Sequence, residues 1–265
     1  MNVRKLARPV TAFCIYSLLC IILCINITAQ EPLHWYCKRT QDHTQPGIDP
    51  NMAWITDCNG VYVDTAHTKT EDDKVVYLTF DAGYENGNVA KILDVMREEE
   101  VTGAFFILGN LIERNPDLVM RMANEGHLVC NHTYTHKNIT HMNEQQLRDE
   151  LARLENAYKQ LTGKAMDAYF RPPEGTFDKA SLQVICEQGY KTVFWSFAYA
   201  DWDNNKQMSE QAALKKITDN LHNGEIMLLH PTSATNAAIL KDLICGLKDM
   251  GYRFGSLNEL QCATS

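Results

Sequence analysis

Five short polar motifs, each closing an apolar run, hold the groups able to do chemistry in this chain. They are Thr79-Phe80-Asp81-Ala82-Gly83, His132-x-x-x-His136, Arg171-Pro172-Pro173-Glu174-Gly175, Asp201-Trp202 and Leu228-Leu229-His230. A carboxylate, two spaced imidazoles, an arginine, a second carboxylate and a late histidine are parts for metal-assisted hydrolysis. Hydrolysis needs an activated water, stabilisation of charge on the acyl oxygen, and a proton for the leaving group. Taken singly each residue has a plainer reading. Asp81 fits an ion-paired cap, the histidine spacing a polar turn, Arg171 a structural salt bridge, and the polar stretch 201–206 a solvated loop.

Convergence of the five motifs requires elements that end at one place. The apolar runs at 75–80, 128–130, 168–170, 192–197 and 226–229 read as strands, and parallel strands present all their C-terminal ends on one face. Between them lie helical periods. Residues 87–99 place Val89, Ile92, Leu93 and Met96 on one face. Asn115-Pro116 reads as an N-cap with proline at the first helical position, leading into 117–125. Asn143 opens a helix to 161, Asp178 one to 188, and Ser209 one to 222. A helix over 235–250 follows the strand 226–230. Strands at 101–108, 127–131, 168–171 and 252–257 complete the set. Seven strands with crossover helices predict an α/β fold, a parallel sheet closing into a distorted (β/α) barrel.

The chain has 265 residues, a hydrophobic fraction of 45% and a net charge of −8, values ordinary for a globular protein. No basic patch stands out, which argues against a nucleic-acid partner. Residues 1–29 read as an export signal: Arg4, Lys5 and Arg8 precede an apolar stretch over 10–27, and Ile27-Thr28-Ala29 has the small-residue spacing of a cleavage site. The stretch is also long enough to remain as a membrane anchor. Either way, membrane contact is confined to this segment and the rest works outside the cytoplasm. Residues 30–73, with Pro32, Pro46, Pro50 and the aromatic Trp35, Tyr36 and Trp54, read as an irregular extension packed on the main domain, 74–265. None of the nine cysteines forms a C-x-x-C pair, so a thiolate zinc site is disfavoured. Cys37 and Cys58 flank a polar stretch and are candidates for a disulfide. His127 and His141 read as structural, and His34, His43, His67 and His222 as surface residues.

The ordered motif set closely resembles the polysaccharide deacetylase family (carbohydrate esterase family 4, the nodulation-type deacetylase homology domain) over about residues 74–260. Within it, Thr79-Phe80-Asp81-Ala82-Gly83-Tyr84-Glu85-Asn86-Gly87 is most similar to the peptidoglycan N-acetylmuramic acid deacetylases that act toward muramic δ-lactam in spore cortex. The resemblance implies that Asp81 is the catalytic base and that His132 and His136 are metal ligands. It implies that Arg171 holds the base and that Asp201 tunes a catalytic group. Pro172 and Pro173 would shape a groove wall, Trp202 and Leu228 would line the acetyl pocket, and His230 would be the general acid. Most members carry a second aspartate, a metal ligand, where this chain has Ala82. The implied cofactor is therefore a divalent ion, zinc being the expected one, on a weaker two-histidine site. Asn131 is a candidate to hold the first ligand from behind, and Glu174 to orient the arginine loop.

The activity implied is N-deacetylation of peptidoglycan glycan strands, with muramic residues favoured. A chitooligosaccharide deacetylase, an acetyl-ester hydrolase and a non-catalytic glycan-binding protein are the alternatives. Replacing Asp81 by Asn is expected to abolish acetate release and leave the fold intact.

Overall fold

The computed structural model describes residues 31–40, 42–68 and 73–260. The expected leader at 1–29 and Cys262 lie outside the described residues. The strands are β1 (Leu33–His34), β2 (Gly60–Val61), β3 (Lys74–Ala82), β4 (Ala104–Ile107), β5 (Leu128–Asn131), β6 (Asp167–Phe170), β7 (Thr176–Phe177), β8 (Lys191–Val193), β9 (Glu225–Leu229) and β10 (Tyr252–Phe254). The helices are α1 (Val89–Glu98), α2 (Gly109–Arg114), α3 (Pro116–Asn124), α4 (Glu144–Thr162), α5 (Lys179–Glu187), α6 (Glu210–Asn220) and α7 (Ala234–Asp249). Among the described residues no helix is long and apolar enough to cross a membrane.

All seven strands expected from the sequence are present, and they pair in parallel. Strand β3 is the hub. It pairs with β9 over Val76–Phe80, with β4 over Thr79–Ala82, and with β10 at its start. From β4 the sheet runs through β5, β6 and β8. The ring is closed on its far side by a parallel bridge between Phe197 and Met227. This is the distorted barrel that the sequence predicts.

The extension does more than pack on this barrel. Its β2 joins the sheet beside β8, and Val63 bridges antiparallel to Glu225 at the start of β9. The chain after β8 therefore bonds first to the extension and then to β9: Phe194 N–H donates to Val61 O, and Ser196 N–H to Ile226 O. The expected strand over 192–197 is cut to Lys191–Val193 for this reason, and the extension fills the seam.

Both faces of the central strands are covered, so they read as nearly continuous apolar runs. Alternation along β3 separates two layers. Val75 and Tyr77 point into the barrel with Phe106, Cys130 and Ile226, whereas Val76, Leu78, Phe80 and Ala82 face α1, α3, α6 and α7. Burying each such large side chain contributes about 1.5–3 kcal/mol. Helix starts follow the sequence signals. Asn143 and Asp178 form capping boxes with Gln146 and Ser181, and Ser209 caps α6. Asn115 stands at the start of α3, but its side chain makes no cap bond, and a short helix, α2, precedes it. Six residues starting with Gly109-Asn110 carry too little periodicity to be seen in sequence. Cys37 and Cys58 are free thiols, which overturns the disulfide expectation. Cys37 sits against the Ala198 backbone and Cys58 in the cluster around Trp35 and Ile185.

Candidate active site

Parallel strands bring the five motifs to one mouth of the barrel. Asp81, the penultimate residue of β3, sits opposite Phe106 of β4. His132 follows β5 and keeps the ladder going by donating its N–H to Ile107 O, and Arg171 follows β6 and donates likewise to Asn131 O. His230 follows β9. Asp201 lies on the crossover from β8 to α6. The cleft they share has a volume of about 630 Å³ and is lined by Asp81, His132, His136, Leu228, His230 and Trp202, among others.

Arg171 anchors the cleft floor. Its side chain is fully buried, lies 4.2 Å over the Phe106 ring, and spends Nε on Val193 O and Nη2 on Thr79 Oγ1. The remaining nitrogen, Nη1, donates to Asp81 Oδ1 at 2.8 Å. Thr79 is itself fixed by donating to Met227 O. Burial raises the cost of charge on Asp81, but Arg171, His132 and His230 outweigh it and hold its carboxyl below the ordinary carboxylate value. The sequence reading expected Asp81→Asn to leave the fold intact. Asp81 is the charge partner of a buried arginine, so its replacement also costs stability.

His132 and His136 lie edge to face, ring centroids 5.0 Å apart. His132 Nδ1 is 2.7 Å from Arg171 O, which can only accept, so in the neutral ring Nδ1 carries the proton. The lone pair on Nε2 then faces Asp81 Oδ2 at 3.6 Å, too far for a hydrogen bond. Burial pushes the His132 pKa down to about 4 and lowers that of His136, against the opposing charge of Asp81. Two neutral imidazoles beside a carboxylate form a donor set that fits a divalent cation. Among the described residues no cluster of three or more His, Cys, Asp or Glu has metal-binding spacing. Ala82 is fully buried on the helix-facing side of β3 and offers no ligand atom.

On the opposite wall His230 is bound twice by Asp201. Its Nδ1 is 2.7 Å from Oδ1, and its N–H donates to Oδ2 at 2.8 Å. Asn236 of α7 donates to the same Oδ2 at 2.6 Å. Burial disfavours the imidazolium, but the hydrogen bond and charge of Asp201, with Asp81 behind them, raise the His230 pKa above its ordinary 6.5.

Several expectations change in detail. Pro172 and Pro173 are buried behind the wall they were expected to form, and Glu174 and Gly175 face the cleft instead. Both take positive φ, 57° and 63°, and a Cβ on Gly175 would come within 2.8 Å of Trp195. This turn places the Glu174 carboxylate where its charge acts on His136. Asn131 does not touch the His132 ring. It takes the Thr133 N–H and donates to Leu151 O and the Tyr190 hydroxyl, bracing the turn. Leu228 lines the cleft and is buried, whereas Trp202 is 62% exposed at the rim, its ring 6.4 Å from that of His230.

The polysaccharide deacetylase family model matches residues 68–193. The peptidoglycan-N-acetylmuramic acid deacetylase PdaA of Bacillus subtilis is 37% identical, over 87% of this chain and 86% of its own. The chain belongs to the polysaccharide deacetylase family. The solved structure of that PdaA, a family 4 carbohydrate esterase, superposes with a TM-score of 0.82, covering 87% of this chain and 97% of its own. A family 4 carbohydrate esterase from Bacillus anthracis, 35% identical, gives 0.72 over 88% and 97%.

A polysaccharide deacetylase is a hydrolase, and the cleft's two walls set a carboxylate whose pKa is held down against an imidazole whose pKa is held up, the division an acid–base hydrolase requires. Thr79 and Asn236 were missed in the sequence. Thr79 stood inside a quoted motif without a role. Asn236 comes from a helix whose sequence reports only amphipathicity, and only the fold brings it to Asp201.

Proposed function

We propose that this protein N-deacetylates peptidoglycan, acting on N-acetylmuramic residues of the glycan strand outside the cytoplasm, on the route to muramic δ-lactam. The observation that carries the chemistry is that one cleft holds Asp81, bound by Arg171 and shifted toward its carboxylate form, and His230, bound by Asp201 and shifted toward its protonated form. The substrate follows from similarity to the Bacillus subtilis deacetylase across most of both chains.

In this reading Asp81 accepts a proton from water as the water oxygen attacks the acetamide carbon. Arg171 keeps the carboxylate ionised and fixed. As the C–N bond breaks, His230 gives a proton to the departing nitrogen, releasing acetate and a free amine. Its Nε2 is the available donor, because Nδ1 is occupied by Asp201. The proton on Asp81 then returns through solvent to His230. His132 and His136 would hold a divalent cation, zinc being the expected one, which supplies Lewis-acid polarisation of the acetamide carbonyl. Leu228 and Trp202 bound the space for the acetyl group. Residues 74–265 carry the catalysis, 30–73 buttress it, and 1–29 deliver the protein to the envelope.

The test is acetate release by the purified protein from defined muropeptides and from chitooligosaccharides. Release from the muramic substrates at a clear advantage is the expected result. Release from chitooligosaccharides alone would reassign the substrate, and none from either would remove the enzymatic reading. Chelation should strip a two-histidine site readily, so elemental analysis after dialysis against chelator should show loss of the ion together with activity.

A further inference from the structure

Four large hydrophobic side chains are exposed among the described residues: Tyr36, Tyr84, Trp202 and Met250. Two of the four, Tyr84 and Trp202, line the same cleft. They lie on loops to either side of His230. The Tyr84 loop after β3 is tied to the loop after β9 by Asn86 and Asn88, whose side-chain amides both donate to Thr232 O at 2.8 and 3.0 Å. Trp202 stands edge-on to His230 from the β8 side.

Tyr84 is 65% exposed, and among the described residues its hydroxyl has no hydrogen-bond partner. The loop that carries it is nonetheless built with care. Asn110 donates to Gly83 O at 2.9 Å, and the Glu85 carboxylate accepts from the N–H groups of Gly87 and Val89, capping α1 where Asn88 makes no cap bond. Gly87 supplies the positive φ of 92° that the turn needs. A pinned loop holding an aromatic ring in water is preorganised for a partner that covers the ring. Sugar rings present apolar C–H faces with hydroxyls at the edge, which match an aromatic face whose polar tip stays wet. Among the described residues no lysine or arginine lines the cleft, Arg171 being wholly buried beneath it, so stacking rather than ion pairing is the recognition available.

We propose that Tyr84 is a stacking platform for the sugar next to the one being deacetylated, so that the protein reads a glycan strand rather than an isolated residue. This rests on the deacetylase reading. The two aromatic rings bracket His230, so the reacting sugar lies over the catalytic groups and its neighbour on Tyr84.

The test compares di-, tetra- and hexasaccharide N-acetylated glycans with the wild-type protein, Tyr84→Ala and Tyr84→Phe. Wild type should gain in kcat/KM with length. Tyr84→Ala should raise KM on the longer oligomers about 3–10-fold and flatten that gain, with kcat held, while Tyr84→Phe keeps it. The exposed side chain leaves the urea midpoint unchanged, which separates the effect from misfolding. Calorimetric binding of the hexasaccharide is measured in parallel. If wild type releases no acetate, the deacetylase reading fails, yet weaker binding by Tyr84→Ala would still support the platform. Length dependence and affinity both unaltered in Tyr84→Ala would overturn it.

Discussion

Strand β9 has a histidine and a carboxylate near each end, and the two pairs are in opposite states. At its start, Glu225 is fully buried and His222 is 2% exposed, with His222 Nε2 and Glu225 Oε2 3.8 Å apart. Among the described residues, Nε2 of His222 and Oε1 of Glu225 have no hydrogen-bond partner. Burial drives the Glu225 pKa well above its ordinary value and that of His222 down to about 4, which favours the neutral form of both. At the other end, Asp201 receives three donors at 2.6–2.8 Å and His230 opens onto the cleft with a raised pKa. The chemical groups are the same at both ends, an imidazole and a carboxylate. What differs is the number of protein dipoles that meet the carboxylate: three at Asp201, one long contact of 3.3 Å at Glu225. Where the carboxylate is met by donors the charged form of its histidine is favoured, and where it is not, burial favours the neutral forms.

The sharpest way to break this contrast is at the mouth. Asp81→Asn should cut acetate release by about 10²–10⁴-fold or more, as loss of a general base does. It should also lower stability by on the order of 3 kcal/mol, because Arg171 stays buried without its counter-charge. Urea titration beside the assay reads both, and retained activity would remove Asp81 as the base.

His230→Ala should lower turnover on the amide by about 10²–10⁴-fold with little change in affinity. An acetate ester, with its better leaving group, should lose less. Equal losses on both substrates would sink the general-acid role.

Asp201→Asn tests the tuning rather than the acid. His230 must be protonated, so activity falls as pH rises through its raised pKa. Removing the Asp201 charge leaves burial opposed only by Asp81, and the alkaline limb of kcat/KM should move to lower pH. A pH–rate profile with an unmoved limb would detach the pair from catalysis.

The smallest effect belongs to the quenched end. Glu225→Gln should leave acetate release unchanged. Because the folded pKa of Glu225 is raised, its contribution to stability is full below the unfolded value near 4.5 and is lost as pH rises toward the folded value. The Gln variant should match wild type at pH 4 and outlast it at pH 8, the gap growing by at most about 1.4 kcal/mol per pH unit. Urea midpoints across that range check it, and a constant gap would mean Glu225 is charged.

Much of this was legible in the sequence because local physics writes it there. Apolar runs of strand length, caps at Asn143, Asp178 and Ser209, and polar motifs at strand ends fix a parallel α/β barrel with Asp81, His132, Arg171 and His230 at one mouth. Direction is enough for that, since parallel strands share an end. Other features depend on which distant atoms meet. His222 reads as a surface residue and is buried; Pro172 and Pro173 read as a wall and lie behind it. The extension reads as irregular and yet supplies β2 to the seam. Neither Asn236 on Asp201 nor Thr79 on Arg171 could be placed without the fold. Charge state belongs to this second group. The sequence shows a histidine and a carboxylate together at the start of β9 and a histidine alone at its end, where Asp201 arrives from a distant loop. Ionisation is set by burial and by such partners from other elements, and only the tertiary structure supplies those.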